Sequence, residues 1–200
     1  MEPITTVSGR VMPLDRDDVD TDQIMPKQFL TRVERTGYGE FVFHEWRREQ
    51  DFVFNDPRFS GATILVAGRN FGSGSSREHA VWGLQQHGFK AVIAPSFSDI
   101  FVGNCIQTGL VPVQTDPETC RTLRQIAEDA PETEVIVDLQ ATEVRWPRGA
   151  ASFEIDLQSR EALMLGLDDV TLILHELDRI RDHEAGRPAW MPHVDRATAQ

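Results

Sequence analysis

The sequence predicts an α/β fold with a parallel sheet, on three observations. Short apolar runs recur at residues 62–68 (ATILVAG), 90–94 (KAVIA) and 110–113 (LVPV), the pattern of strands buried on both faces. Between them lie two stretches with apolar residues at helical spacing. Each stretch stops at a glycine, Gly88 or Gly109, shortly before the next run. The order strand–helix–strand–helix–strand is that of crossover units, whose strands pair in parallel.

In chain order, residues 4–14 alternate loosely and predict a first strand. An acidic segment follows, with Asp15, Asp17, Asp18, Asp20 and Asp22; the plain reading of most of these is solvated turn carboxylates. Residues 27–50 are rich in aromatics, and 47–56 read as a polar surface connection. The run 62–68 leads into a turn of glycines and serines at 70–76. Ala80, Val81, Leu84 and His87 then share one face of a helix over 78–87. A second helix is expected over 96–109, with Ile100, Phe101, Asn104 and Cys105 on neighbouring turns. Further on, 117–130 predict a polar helix, 134–139 and 143–146 a β pair, 151–157 another strand, and 161–167 and 170–183 helices. No repeat or linker interrupts the pattern. Residues 1–183 read as one domain and 184–200 as a polar tail, partly disordered.

The 200 residues carry 20 basic against 32 acidic side chains, a net charge of −12. Such a chain has no global field for nucleic acid or an anionic membrane, and no local basic patch offsets it. No apolar run approaches the ~18 residues of a membrane span. Neither nucleic acid nor membrane is an expected partner. Apolar residues at 40% exclude disorder throughout. Cys105 and Cys120 form no CxxC pair. They predict a reduced, cytoplasmic chain, and two thiols cannot by themselves hold an iron–sulfur cluster. The N-terminal MEPITTVSGRV has no basic start and no apolar stretch, so no signal peptide is expected.

Several motifs fail on inspection. Asp18, Asp20 and Asp22 begin like a calcium loop, but Gln23 replaces the required glycine and Phe29 the closing glutamate. Gly72-Ser73-Gly74-Ser75-Ser76-Arg77 begins like a dinucleotide fingerprint, but Arg77 stands at the third glycine. It also lacks the Gly-Lys-Ser/Thr ending of a phosphate loop and the last glycine of a hydrolase elbow. The six histidines show no metal-ligand spacing, so no metal site is expected in this chain.

What stands is a strand, the segment Asn70-Phe71-Gly72-Ser73-Gly74-Ser75-Ser76-Arg77-Glu78-His79, and a helix. Two readings remain open. Ser75-x-x-Glu78 fits a capping box, with Ser75 accepting from a helix amide and Glu78 reaching back. Alternatively, the glycines allow close backbone approach, the helix start favours an anion, and Arg77 offers a planar fork. That combination describes a carboxylate- or phosphate-binding pocket.

Residues 74–80, GSSREHA, resemble the signature of the swivelling domain of the aconitase superfamily. Three further segments resemble small subunits of 3-isopropylmalate dehydratases: 18–27 (DVDTDQIMPK), 93–101 (IAPSFSDIF) with Gly103-Asn104, and 166–172 (GLDDVTL). The likeness runs in order over about residues 5–192. It implies a swivelling β/β/α three-layer domain. It also implies dehydration and rehydration of a hydroxy dicarboxylate, moving the hydroxyl of 2-isopropylmalate to the neighbouring carbon in leucine biosynthesis. The implied partner is a large subunit carrying a [4Fe–4S] cluster with one open iron, and this chain would bind no cofactor itself.

Carried over by the resemblance, Ser75 stands at the catalytic base, a serine alkoxide needing charge stabilisation from the amides of residues 72–76, the helix start and Arg77. Arg77 stands at a substrate-carboxylate ligand, Ser76 at a supporting donor, and Asp22 at an orienting carboxylate. Asp22 beside an anionic substrate calls for a cation to pair it. Substrate choice falls to residues 27–33, where Phe29 and Leu30 would pack an isopropyl group, or else belong to the core. Arg32, pointing inward, would instead meet a third carboxylate. Ser73 occupies a position where many relatives carry cysteine. Two alternatives stay open: a related hydro-lyase subunit acting on methylmalate/citraconate or homoaconitate, and a carboxylate-binding module without catalysis.

Overall fold

The computed structural model describes residues 1–30, 36–75, 77–167, 171, 173–174, 176–188 and 190–191. The chain divides into two compact units, Met1–Leu167 and Asp168–Gln200.

In the first unit the strands are β1 (Thr6–Pro13), β2 (Ile64–Val66), β3 (Ala91–Ala94), β4 (Val111–Gln114), β5 (Glu134–Asp138), β6 (Glu143–Trp146) and β7 (Gly149–Ser152). They form one sheet in the order β4-β3-β2-β1-β5-β6-β7. β1 serves two halves. Its end at Val11–Pro13 pairs in parallel with β2, and β2, β3 and β4 continue in parallel. Its start at Thr6–Arg10 pairs antiparallel with β5, and β6 and β7 follow antiparallel. The parallel strands are apolar and buried almost throughout, whereas β5 alternates buried with less buried residues, as a one-sided strand does. Beyond the outer strands the two edges meet: the Glu154 amide donates to the Gln114 carbonyl (2.9 Å) and the Thr115 hydroxyl to the Ser152 carbonyl (3.0 Å). The sheet therefore curls on itself.

The helices of this unit are α1 (Thr21–Ile24), α2 (Glu78–His87), α3 (Asp99–Thr108), α4 (Pro117–Asp129) and α5 (Leu157–Leu165). α2 and α3 stop at Gly88 and Gly109 as the sequence predicts. α4 turns Thr119, Cys120, Leu123 and Ala127 inward and packs against β1, β2 and β3. In the second unit the described helix is α6 (Leu177–Ala185).

Four expectations shift. α3 begins at Asp99 rather than residue 96, because the backbone of 96–98 is engaged in pairing with the glycine turn: Phe71 N donates to Ser96 O (3.0 Å) and Ser98 N to Phe71 O (3.1 Å). The strand expected over 151–157 lies at 149–152. α5 starts at Leu157, not 161, because the Asp156 side chain caps it by accepting from Ser159 N (2.9 Å). Residues 47–56 are polar and exposed at 48–51 and 55, but they are more than a surface connection. They form short 3-10 turns that bury Phe52, stacked on Phe54 with ring centres 5.3 Å apart.

Candidate active site

Three loops leave the C-terminal ends of the parallel strands β1, β2 and β3, and they run beside one another. In open parallel sheets this is the end where ligands are bound.

The loop after β1 lies along the loop after β2, joined rung by rung. Gly68 N donates to Arg16 O (3.0 Å). Arg69 donates to Asp17 through its backbone amide (2.7 Å), Nε (3.1 Å) and Nη2 (2.8 Å). Asn70 Nδ2 donates to Asp18 Oδ1 (2.8 Å). Gly72 N and Ser73 N both donate to Val19 O (2.8 and 3.1 Å), and Thr21 N donates to Ser73 O (2.9 Å). The Thr21 hydroxyl donates to Ser75 O (2.7 Å). The last rung is an ion pair between Arg77 Nη1 and Asp22 Oδ1. Lys27 Nζ stands 3.9 Å from the other Asp22 oxygen.

Asp15, Asp17 and Asp18 are exposed, as the solvated-turn reading expects, but each also has a polar partner. Asp17 pairs with Arg69, whose hydrogen bonds hold its carboxyl below the usual carboxylate range. Asp20 caps α1, accepting from Gln23 N (2.8 Å) while Gln23 Oε1 accepts from Asp20 N (2.9 Å). Asp15 pairs with Arg124 of α4 (2.8 Å), and Arg124 Nη1 also donates to Ala67 O (3.1 Å) at the root of the second loop. Sequence reasoning gave no role to Thr21, Arg69 or Arg124, and placed Lys27 only within the segment 27–33 expected to set substrate choice. The only sequence signal for them was the presence of polar side chains of both signs in two separated turns.

The capping reading of Ser75 is overturned. α2 begins at Glu78 with Arg77 as its N-cap residue, whose side chain makes no capping hydrogen bond. Arg77 is extended (φ −123°, ψ 109°), so Ser75 stands two residues before the N-cap position rather than at it. Ser75 is exposed, and its hydroxyl has no hydrogen bond among the described residues. One part of the expected charge stabilisation also changes: the amides of Gly72 and Ser73 are taken by Val19 O. The start of α2 and the Arg77 guanidinium remain. Arg77 keeps further N–H donors beyond the one given to Asp22, and its side chain is only 14% exposed.

Phe29 and Leu30 are half-buried and pack against the core. Phe29 stacks on Phe41 (centres 4.1 Å apart) and meets His44 edge-on. Ser76, Arg32 and Val33 lie outside the described residues.

No group of three or more His, Cys, Asp or Glu among the described residues is arranged to hold a metal ion. Cys105 and Cys120 are free and buried. Burial pushes the Cys105 thiol well up and the Cys120 thiol up to about 12, whereas an iron–sulfur ligand must be a thiolate. These residues do not fit a cluster. No helix among the described residues is long and apolar enough to cross a membrane.

A family model described as the aconitase C-terminal domain matches residues 1–118. The chain is 54% identical over 192 residues to a curated 3-isopropylmalate dehydratase small subunit of Frankia alni, covering 96% of this chain and 98% of that one. It is 50% identical over 194 residues to that of Rubrobacter xylanophilus, covering 97% and 100%. A crystal structure of 3-isopropylmalate dehydratase from Methanocaldococcus jannaschii superposes with a TM-score of 0.64 at 29% identity, over 88% of this chain and 99% of that one. The chain belongs to the aconitase C-terminal domain family and, within it, to the 3-isopropylmalate dehydratase small subunits.

Proposed function

We propose that this chain works with a large subunit as a hydro-lyase that interconverts 2-isopropylmalate and 3-isopropylmalate by dehydration and rehydration, in leucine biosynthesis. The observation that carries the reading is the pairing of the two loops, which ends with Ser75 exposed beside an Arg77 fixed by Asp22.

The reaction removes a weakly acidic proton from a carbon next to a carboxylate and expels hydroxide from the neighbouring carbon. Arg77 binds a substrate carboxylate through the donors that Asp22 leaves free. Ser75 Oγ, as the alkoxide, takes the carbon-bound proton. The electron pair left behind forms the double bond as the hydroxyl departs, and rehydration reverses the step with the hydroxyl placed on the other carbon. An alkoxide needs compensating positive charge, which the start of α2 and Arg77 provide. Asp22 orients Arg77, and the pairing supplies the cation its carboxylate needs near an anionic substrate. Ser76 is assigned as a supporting donor. Phe29 and Leu30 keep apolar surface outside the core and are assigned to the isopropyl group.

Expelling hydroxide needs an electrophile, which a [4Fe–4S] cluster on the large subunit would supply. The chemistry is placed in the cytoplasm, in keeping with two free thiols.

The test is an anaerobic assay of this chain with the matching cluster-loaded large subunit, following alkene absorbance from 3-isopropylmalate, citrate and citramalate in parallel. Turnover of isopropylmalate, requiring both chains, is the expected result. Preference for citramalate or a tricarboxylate would move the substrate. Silence with all three, on an intact cluster, would return the chain to a carboxylate-binding module.

A further inference from the structure

We infer that Thr21 is a positioning residue for Ser75, acting through its hydroxyl. The inference rests on the reading of Ser75 as the group that takes the proton.

Among the described residues, the segment that carries Ser75 has few contacts. Gly74 and Ser75 are exposed, and Gly74 sits at φ +86°. Upstream, the backbone is held as far as Ser73, whose carbonyl accepts from Thr21 N (2.9 Å). Downstream, Arg77 is held by Asp22. Between these anchors, the hydrogen bond among the described residues is the one from Thr21 Oγ1 to Ser75 O (2.7 Å). A planar peptide turns as a unit. Fixing the Ser75 carbonyl therefore fixes that peptide plane and the position of the Ser75 Cα, and with Ser73 held upstream it narrows the directions open to the Ser75 Cα–Cβ bond. A proton transfer at carbon depends steeply on such direction, since a displacement near 1 Å can cost about a hundredfold in rate.

Thr21 is itself well placed to act as a fixed point. It is 2% exposed. It is the first residue of α1, which Asp20 and Gln23 already cap. The Thr21 hydroxyl is therefore not needed to start that helix, and its recorded bond is spent on the loop opposite. One residue thus holds two points of the serine loop, Ser73 through its amide and Ser75 through its side chain. The next residue, Asp22, holds Arg77. Three successive groups of one short helix set the spacing of the base and the carboxylate ligand.

The test compares Thr21→Val and Thr21→Ser with Ser75→Ala, each as the full chain assembled with its large subunit. Thr21→Val keeps the buried shape and removes the donor. It is expected to lower kcat at least tenfold with KM within about twofold, because Arg77 and Asp22 remain in place. Thr21→Ser keeps the donor and is expected to restore most of kcat. An unchanged kcat for Thr21→Val, with Ser75→Ala inactive, overturns the inference while leaving Ser75 as base. A Ser75→Ala variant of near-normal turnover defeats the reading of Ser75 itself. If Thr21→Val does not fold or assemble, Thr21→Ser and Thr21→Ala decide. Both lack the methyl group and differ in the hydroxyl alone, so equal kcat values would overturn the inference.

Discussion

Two glycines two residues apart in the serine loop should respond very differently to the same methyl group. Gly72 has φ +75°, and a Cβ there would lie 2.5 Å from Phe101 Cδ2 and 2.6 Å from Phe101 Cβ. Phe101 cannot yield easily. It is 2% exposed, edge-on to Phe71 (5.3 Å) and stacked with Phe97 (6.2 Å). Gly74 has φ +86°, but the nearest atom to its Cβ is Asp20 Cβ at 3.3 Å, and the residue is exposed. Both alanine variants meet the left-handed penalty of about 1–2 kcal/mol. Gly72→Ala adds an overpacking cost of about 1–3 kcal/mol. Gly72→Ala should therefore lose about 3 kcal/mol, roughly 6–12 °C in Tm for a chain of this size, and Gly74→Ala about a third of that. Thermal and urea melts of the full chain, followed by far-ultraviolet circular dichroism, measure both. Equal losses, or a larger loss at Gly74, would refute the claim that the loop is seated on the Phe71–Phe97–Phe101 cluster.

Three further outcomes are expected. Arg77→Lys cannot both pair with Asp22 and present a planar fork, so steady-state kinetics of the assembled enzyme should show KM raised about tenfold, with kcat affected less. The Asp116 carboxylate caps α4 by accepting from Thr119 N (2.9 Å) and the Thr119 hydroxyl (2.5 Å), which holds its pKa below the usual carboxylate range. Asp116→Ala should cost about 1 kcal/mol at neutral pH. Because the folded pKa is depressed, that gap should be complete above about pH 4 and close as pH falls through the folded value; a gap that persists unchanged in acid would contradict the capping account. Cys105 and Cys120, buried and with raised pKa values, should resist a thiol reagent such as Ellman's in the folded chain and both react in denaturant. Rapid reaction of either thiol in the folded chain would contradict their burial.

Much of the fold was legible because its signals are local. The run 90–94, the helix 78–87 and the stop at Gly88 depend on residues within a few positions of one another, and β3 and α2 form where expected. The start of α3 moved because a contact distant in sequence took over, whereas that of α5 moved with a local cap. Residues 96–98 carry a helical pattern but pair with Phe71 instead. The serine–arginine motif was visible, and so was the need for a cation beside Asp22. What pairs with what was not visible, because Asp17 and Arg69 are 52 positions apart and Asp22 and Arg77 are 55. No periodicity spans such a gap. The local match of Ser75 and Glu78 to a capping box pointed the wrong way for the same reason. Asp22 holds Arg77, whose backbone is extended, and the helix starts later than the motif alone implies.

The central claim is that this chain contributes Ser75 as the proton-taking group of a two-subunit hydro-lyase. The most direct measurement is steady-state turnover of 3-isopropylmalate by the wild-type chain and by Ser75→Ala, each assembled with the same cluster-loaded large subunit. The account predicts that Ser75→Ala loses at least a thousandfold in kcat while KM stays within a few-fold, since Arg77 still binds the substrate. A Ser75→Ala enzyme that keeps a tenth or more of wild-type turnover would contradict it.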